Sequence, residues 1–154
     1  MSTQTVNTTS VQLQESLNRQ IASFSILYTK LHNFHWYVKG PQFFTLHAKF
    51  EELYDEAAEQ LDTVAERLLA IGGRPAATLS EHLKLSVIEE AGGSLSAEQM
   101  VKAVIDDFGK LSSELDNGIE AAETADDAGT ADLLTGIRKG LDKHRWMLNA
   151  FLGR

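Results

Sequence analysis

The sequence of 154 residues predicts an all-α fold: four long helices packed as one bundle, with a single long crossover that carries a short extra helix. Two observations predict it. Apolar residues recur every three or four positions through four stretches, which places them on one face of each helix. The breaks between those stretches run short, long, short, and a long middle connection lets the third long helix run parallel to the second. A chain of this length is expected to form one domain over residues 1–154.

Residues 1–10 are mostly Ser, Thr, Gln and Asn with no basic residue, and are expected to form a flexible N-terminal tail. The first helix follows to about Val38. Its apolar positions Leu17, Ile21, Phe24, Tyr28 and Leu31 step by four and three, and the next steps fall on His35 and Val38, so His35 should point inward. Gly40-Pro41 then makes a short turn, and the first two helices become antiparallel neighbours.

The second helix, residues 43–71, carries two rows. Leu46, Phe50, Leu53, Ala57, Leu61, Val64, Leu68 and Ile71 form the stripe that faces the bundle. Beside it run His47, Glu51, Tyr54, Ala58, Asp62 and Glu66, also in steps of three and four. The polar members form two pairs, His47 with Glu51 and Asp62 with Glu66, each spaced so that both side chains reach one ion. Glu51 and Asp62 are roughly 16 Å apart along the axis, so no single ion can be held by both pairs of one chain. Their midpoint falls between Glu56 and Ala57. A two-fold axis there would lay Asp62 and Glu66 of an antiparallel copy opposite His47 and Glu51, and the small residues Ala57 and Ala58 would let the helices approach. A homodimeric metal site shared between subunits is therefore expected.

Gly72-Gly73 and Pro75 stop this helix, and the crossover contains a shorter apolar stretch, Leu79 to Ile88, ended by Gly92-Gly93. Ser96 with Gln99 three residues later forms a capping box for the third long helix, whose buried stripe is Val101, Val104, Phe108, Leu111, Leu115 and Ile119. A polar link from Glu123 to Gly129 leads to the last helix, with Leu134, Ile137, Leu141, Met147 or Leu148, and Phe151 inward. This one-crossover order is the topology of ferritin-like four-helix bundles.

The absence of cysteine excludes disulfides, thiolate metal sites and thiol catalysis. The opening residues lack a basic start and an apolar run, and no segment could span a membrane, which predicts a soluble cytoplasmic protein. The formal charge of −8 disfavours nucleic acid and favours cations, though acidic surfaces also serve solubility alone.

His35, His47, Glu51, Asp62 and Glu66 offer nitrogen and oxygen donors only. Such a set suits iron(II), and also zinc, manganese or cobalt. Acid should weaken metal binding, because protonated imidazole cannot ligate. His144, on the stripe of the last helix, reads as a core residue, His32 as either support behind the ligands or a structural residue, and His82 as an exposed crossover residue. Trp36 adjoins the site, where interface packing ranks above electron donation. Glu123, Asp126, Asp127 and Asp132 cluster around the start of the last helix, where acids meet the helix dipole favourably; the functional alternative is an acidic pore.

With these residues assembled, the stretch HNFHWYVKGPQFFTLHAKFEELYDEAAEQLDTVAERLLAIGGRP resembles the signature of the Dps family, the starvation-induced miniferritins. The pattern HWxVxGxxFxxLHxxF(D/E)xxY followed by DxxAER supplies that family's ferroxidase ligands at a dimer two-fold axis. The resemblance implies His35, His47 and Glu51 as ligands from one subunit, with Asp62 and Glu66 from its partner. Many relatives have aspartate where Glu51 stands. It further implies a hollow dodecamer that oxidises iron(II), often with hydrogen peroxide, and stores ferric mineral. The family's acidic three-fold pore maps best onto Asp132, then Asp127 and Glu123. Relatives that condense DNA often use a basic tail, whereas the first basic residue here is Arg19, so DNA binding through an N-terminal arm is not expected. DNA condensation with secondary iron chemistry is the alternative function, and a zinc- or manganese-binding bundle without turnover is the third.

Overall fold

The structure, a computed structural model, describes residues 8–154. Helix α1 spans Thr8–Tyr37, α2 Phe43–Ala70, α3 Leu79–Leu85, α4 Ala97–Thr124 and α5 Ala128–Phe151, with no strand among the described residues. The expected tail falls mostly outside the described residues, but Thr8, Thr9 and Ser10 already belong to α1.

The chain forms two helical hairpins, α1–α2 and α4–α5, packed through α1 against α4, with α3 lying on α1. Their shared core includes Phe24, Leu27, Phe34, Phe50, Leu68, Leu111, Leu115 and Leu134, all buried. The first hairpin closes through Gly40, whose φ of +112° an L side chain rarely adopts. The second closes in three residues, Ala125 to Asp127, shorter than the expected polar link because α4 continues to Thr124. Ser96 and Gln99 cap α4 reciprocally, satisfying two backbone donors at once.

Each expected stripe is largely buried, with exceptions both within it and at its ends. Leu61, Ile71 and Ile119 are half-buried, while Tyr28, Met147 and Phe151 are exposed and Leu148 takes the inward place. Tyr28 is turned toward His32 and Tyr54, with ring centroids 4.5 and 6.0 Å away.

The crossover follows a template of polar groups on α1. Asn18 accepts from the Ala76 N–H at 2.7 Å and donates to the Arg74 carbonyl at 3.1 Å. Ser23 accepts from the Val87 N–H at 2.9 Å, and Lys30 donates to the Glu89 carbonyl at 2.9 Å. His82, expected to be exposed, is buried between Ser25 Oγ and the Ala76 carbonyl, each 2.8 Å from one ring nitrogen. Helical spacing carries no information about a crossover folding back over its own hairpin, which is why this burial was not legible.

Candidate metal centre

The five-residue turn between α1 and α2 brings the last turn of one helix beside the first turns of the other, and two histidines meet there. His35 Nδ1 lies 2.6 Å from the carbonyl oxygen of His47, and His47 Nδ1 lies 2.7 Å from the carbonyl oxygen of His35. Carbonyls only accept, so each Nδ1 carries the proton and donates it. Each Nε2 is left with its lone pair, the tautomer a metal ion requires. The rings stack with centroids 3.7 Å apart and 13° between planes, and Phe43 stacks on the outer face of His47 at 4.9 Å. His35 is buried and His47 half-buried, so neither ring is free to turn.

Glu51 stands one helical turn beyond His47 with an exposed carboxylate. The Tyr54 hydroxyl donates to its Oε1 at 3.4 Å, and the Tyr54 ring stands edge-on to His35 at 5.3 Å. Desolvation, then the charges of Glu51 and Asp55, push the Tyr54 phenol above its ordinary value, so it stays a proton donor to Glu51. His32 stacks on the other side of Tyr54 at 3.7 Å and is itself held by Nδ1, 2.8 Å from the Tyr28 carbonyl. His32 thus reaches His35 and Glu51 only through Tyr54. Trp36 touches His32 at 5.2 Å but is 67% exposed, a large indole face left uncovered by its own chain.

Asp62 and Glu66 are exposed farther along α2. The helix is unbroken from Phe43 to Ala70, so it holds them away from the histidines. The five residues therefore do not converge within one chain.

The acids near α5 divide. Asp127 is the N-cap of α5, accepting from the Thr130 N–H at 3.0 Å and the Thr130 hydroxyl at 2.6 Å, and it pairs with Arg67 at 3.0 Å. Desolvation pushes its carboxyl up, but the bonds from Thr130 and Arg67 together outweigh this and hold it below the ordinary value. Its oxygens are committed to capping. Glu123 and Asp132 remain exposed.

His144 is buried, as expected of a core residue, yet its Nε2 is 2.5 Å from Glu56 Oε2. Glu52, Glu56 and His144 each offer a ligand atom, all within 4.8 Å of one another. The spacing of Glu52 and Glu56 was visible in the sequence; their meeting with a residue some ninety positions away was not.

Comparison with known proteins places the chain in a family. A model for the ferritin-like domain matches residues 14–154. The chain is 57% identical over 143 residues to "DNA protection during starvation protein 2" of Bacillus anthracis, covering 93% of this chain and 98% of that protein. The crystal structure of a Dps protein from Bacillus brevis matches with a TM-score of 0.92 at 52% identity, covering 99% of each chain. A Dps structure from Listeria innocua soaked with cobalt matches with a TM-score of 0.89 at 42% identity, covering 92% of each chain.

Proposed function

The chain belongs to the Dps family of ferritin-like proteins, and on that premise we propose that it is a ferroxidase and iron store, oxidising iron(II) at a centre shared between two subunits. The observation that carries the proposal is the reciprocal lock of His35 and His47. Two imidazoles are fixed with Nε2 lone pairs available, a costly arrangement for a purely structural contact.

His35, His47 and Glu51 of one subunit bind iron(II), and Asp62 and Glu66 of a two-fold partner close the centre. The exposure of both half-sites, and of the indole of Trp36, supports a second copy covering this face. Iron(II) is the substrate. Two iron(II) ions each give up one electron, and the pair reduces one hydrogen peroxide across its O–O bond to two hydroxides, so no hydroxyl radical is released. Oxygen is the alternative oxidant. Carboxylates tolerate the change to iron(III), and the imidazoles hold position while charge changes. Zinc, manganese and cobalt would compete for the same donors. The product is stored as ferric mineral in a hollow dodecamer, with Asp132 and Glu123 as the candidate pore acids.

A second reading, DNA compaction, is favoured by the name of the Bacillus anthracis relative. It would need a surface other than the tail, since no basic residue precedes Arg19. A gel shift that weakens steeply with salt would support it, and no shift at low salt would remove it.

The deciding experiment is anaerobic iron(II) loading of metal-free protein, then peroxide, with ferric absorbance and particle mass followed together. Rapid oxidation with iron retained in a large particle is expected; no oxidation above buffer would overturn the proposal. For the shared centre, mixed and reassembled His47→Ala and Asp62→Ala subunits should regain activity that neither variant has alone. Inactivity of properly assembled mixtures would exclude sharing.

A further inference from the structure

On another face of α2 from His47 and Glu51, the helix meets α5 with a different set of donors. Glu52 and Glu56 stand one turn apart, and His144 reaches them from α5. Their ligand atoms lie within 4.8 Å of one another, a spacing one cation can bridge. His144 is 8% exposed and packs near Phe108, with ring centroids 6.2 Å apart, so its imidazole is held at the edge of the core. The carboxylates are roughly half exposed, so the cluster has a dry side and an open one.

A single cation already sits there. Lys49 Nζ is 3.1 Å from Glu52 Oε2 and 3.4 Å from His144 Nδ1. Ammonium only donates, so His144 Nδ1 accepts from it and Nε2 donates to Glu56. Two carboxylates, a neutral imidazole and one ammonium leave the cluster one positive charge short of balance. Beside Lys49 runs an open groove of about 340 Å³, lined by Thr45, Leu46, Ala48, Met147, Leu148 and Phe151. One turn before His144, Gly140 leaves its side of α5 open.

The geometry points to a second metal site, in which Glu52, Glu56 and His144 bind a divalent transition-metal ion and Lys49 is its tethered competitor. A divalent ion that displaces the ammonium supplies the missing charge. One nitrogen and two carboxylate donors suit zinc, cobalt, manganese or iron(II), and the imidazole disfavours calcium and magnesium. The site lies within one subunit, unlike the shared centre, so it needs no partner to be complete. In the absence of metal Lys49, on its four-carbon stem, bridges Glu52 and His144, and it leaves when metal arrives.

The test uses cobalt(II), followed by equilibrium dialysis and visible absorption, on the assembled full-length protein carrying His35→Ala and His47→Ala. That background lacks the shared centre's histidines, so the outcome is independent of the ferroxidase reading. Binding of cobalt that drops by about one ion per chain on adding either His144→Ala or Glu52→Gln is expected. Glu52→Gln changes an exposed group and guards against a His144→Ala variant that fails to fold. Lys49→Met should tighten this binding by roughly tenfold, because it removes the competing charge. Cobalt binding left unchanged by Glu52→Gln in folded protein, or weakened by Lys49→Met, would overturn the site and leave an ion-pair network between helices.

Discussion

His35 and His47 each donate Nδ1–H to the other's backbone carbonyl, which fixes both tautomers, and their rings stack at 3.7 Å, so each ring holds the direction of its neighbour. Their functions should therefore fail together. In a double-mutant cycle of His35→Ala and His47→Ala, each single change should cost nearly as much metal affinity as the pair, at least tenfold. Isothermal titration with zinc or cobalt measures this; strictly additive losses would mean that the two rings bind independently.

Lys30 and Asp107 form an ion pair of 2.8 Å between α1 and α4, with both side chains buried. Lys30→Met would leave the carboxylate without its partner and should cost about 3–5 kcal/mol in urea unfolding. Replacing both by apolar residues should recover most of that loss. Desolvation exceeds the attraction of Lys30 and pushes the Asp107 carboxyl above its ordinary 3.8. Its contribution to stability is thus fully present below that value and is lost as pH rises through the folded one.

Asp127 has the opposite sign. Its folded carboxyl titrates below the ordinary 3.8, so its contribution is present above that value and disappears as pH falls through the folded one. Asp127→Ala should cost about 1 kcal/mol at neutral pH through loss of the α5 cap. The difference from the parent protein should shrink in acid, as followed by circular dichroism melts at descending pH. A difference that stays constant to low pH would show that the carboxylate charge plays no part.

Gly118 lies where α4 faces α1 and α5. A Cβ added there would fall 2.5 Å from Gln20 Nε2 and 2.8 Å from Leu134 Cδ1. Gly118→Ala gains helix propensity of about 1 kcal/mol but must displace a buried amide and a core leucine. The clash should win, giving a net loss of about 1–2 kcal/mol in unfolding midpoint experiments. A more stable variant would mean that Gln20 can relocate freely.

Glycine and proline punctuation, the capping box at Ser96 and four apolar stripes made the helix order legible, because these signals are local. The inward direction of His35 was legible for the same reason, being one more step along a stripe. His82 and the Glu52–Glu56–His144 cluster were not, since each is decided by which side chain from a distant segment arrives beside it.

Spacing alone specified the bundle, its single crossover and the separation of His47 and Glu51 from Asp62 and Glu66 along α2, since helical geometry converts spacing directly into position. Tertiary structure alone decided that the two histidines clasp each other, that Asp127 serves as a cap, and that Lys49 stands among three possible ligands. Such outcomes depend on hydrogen-bond partners brought together by packing, and no pattern of spacing within one helix specifies the group that will face it from another.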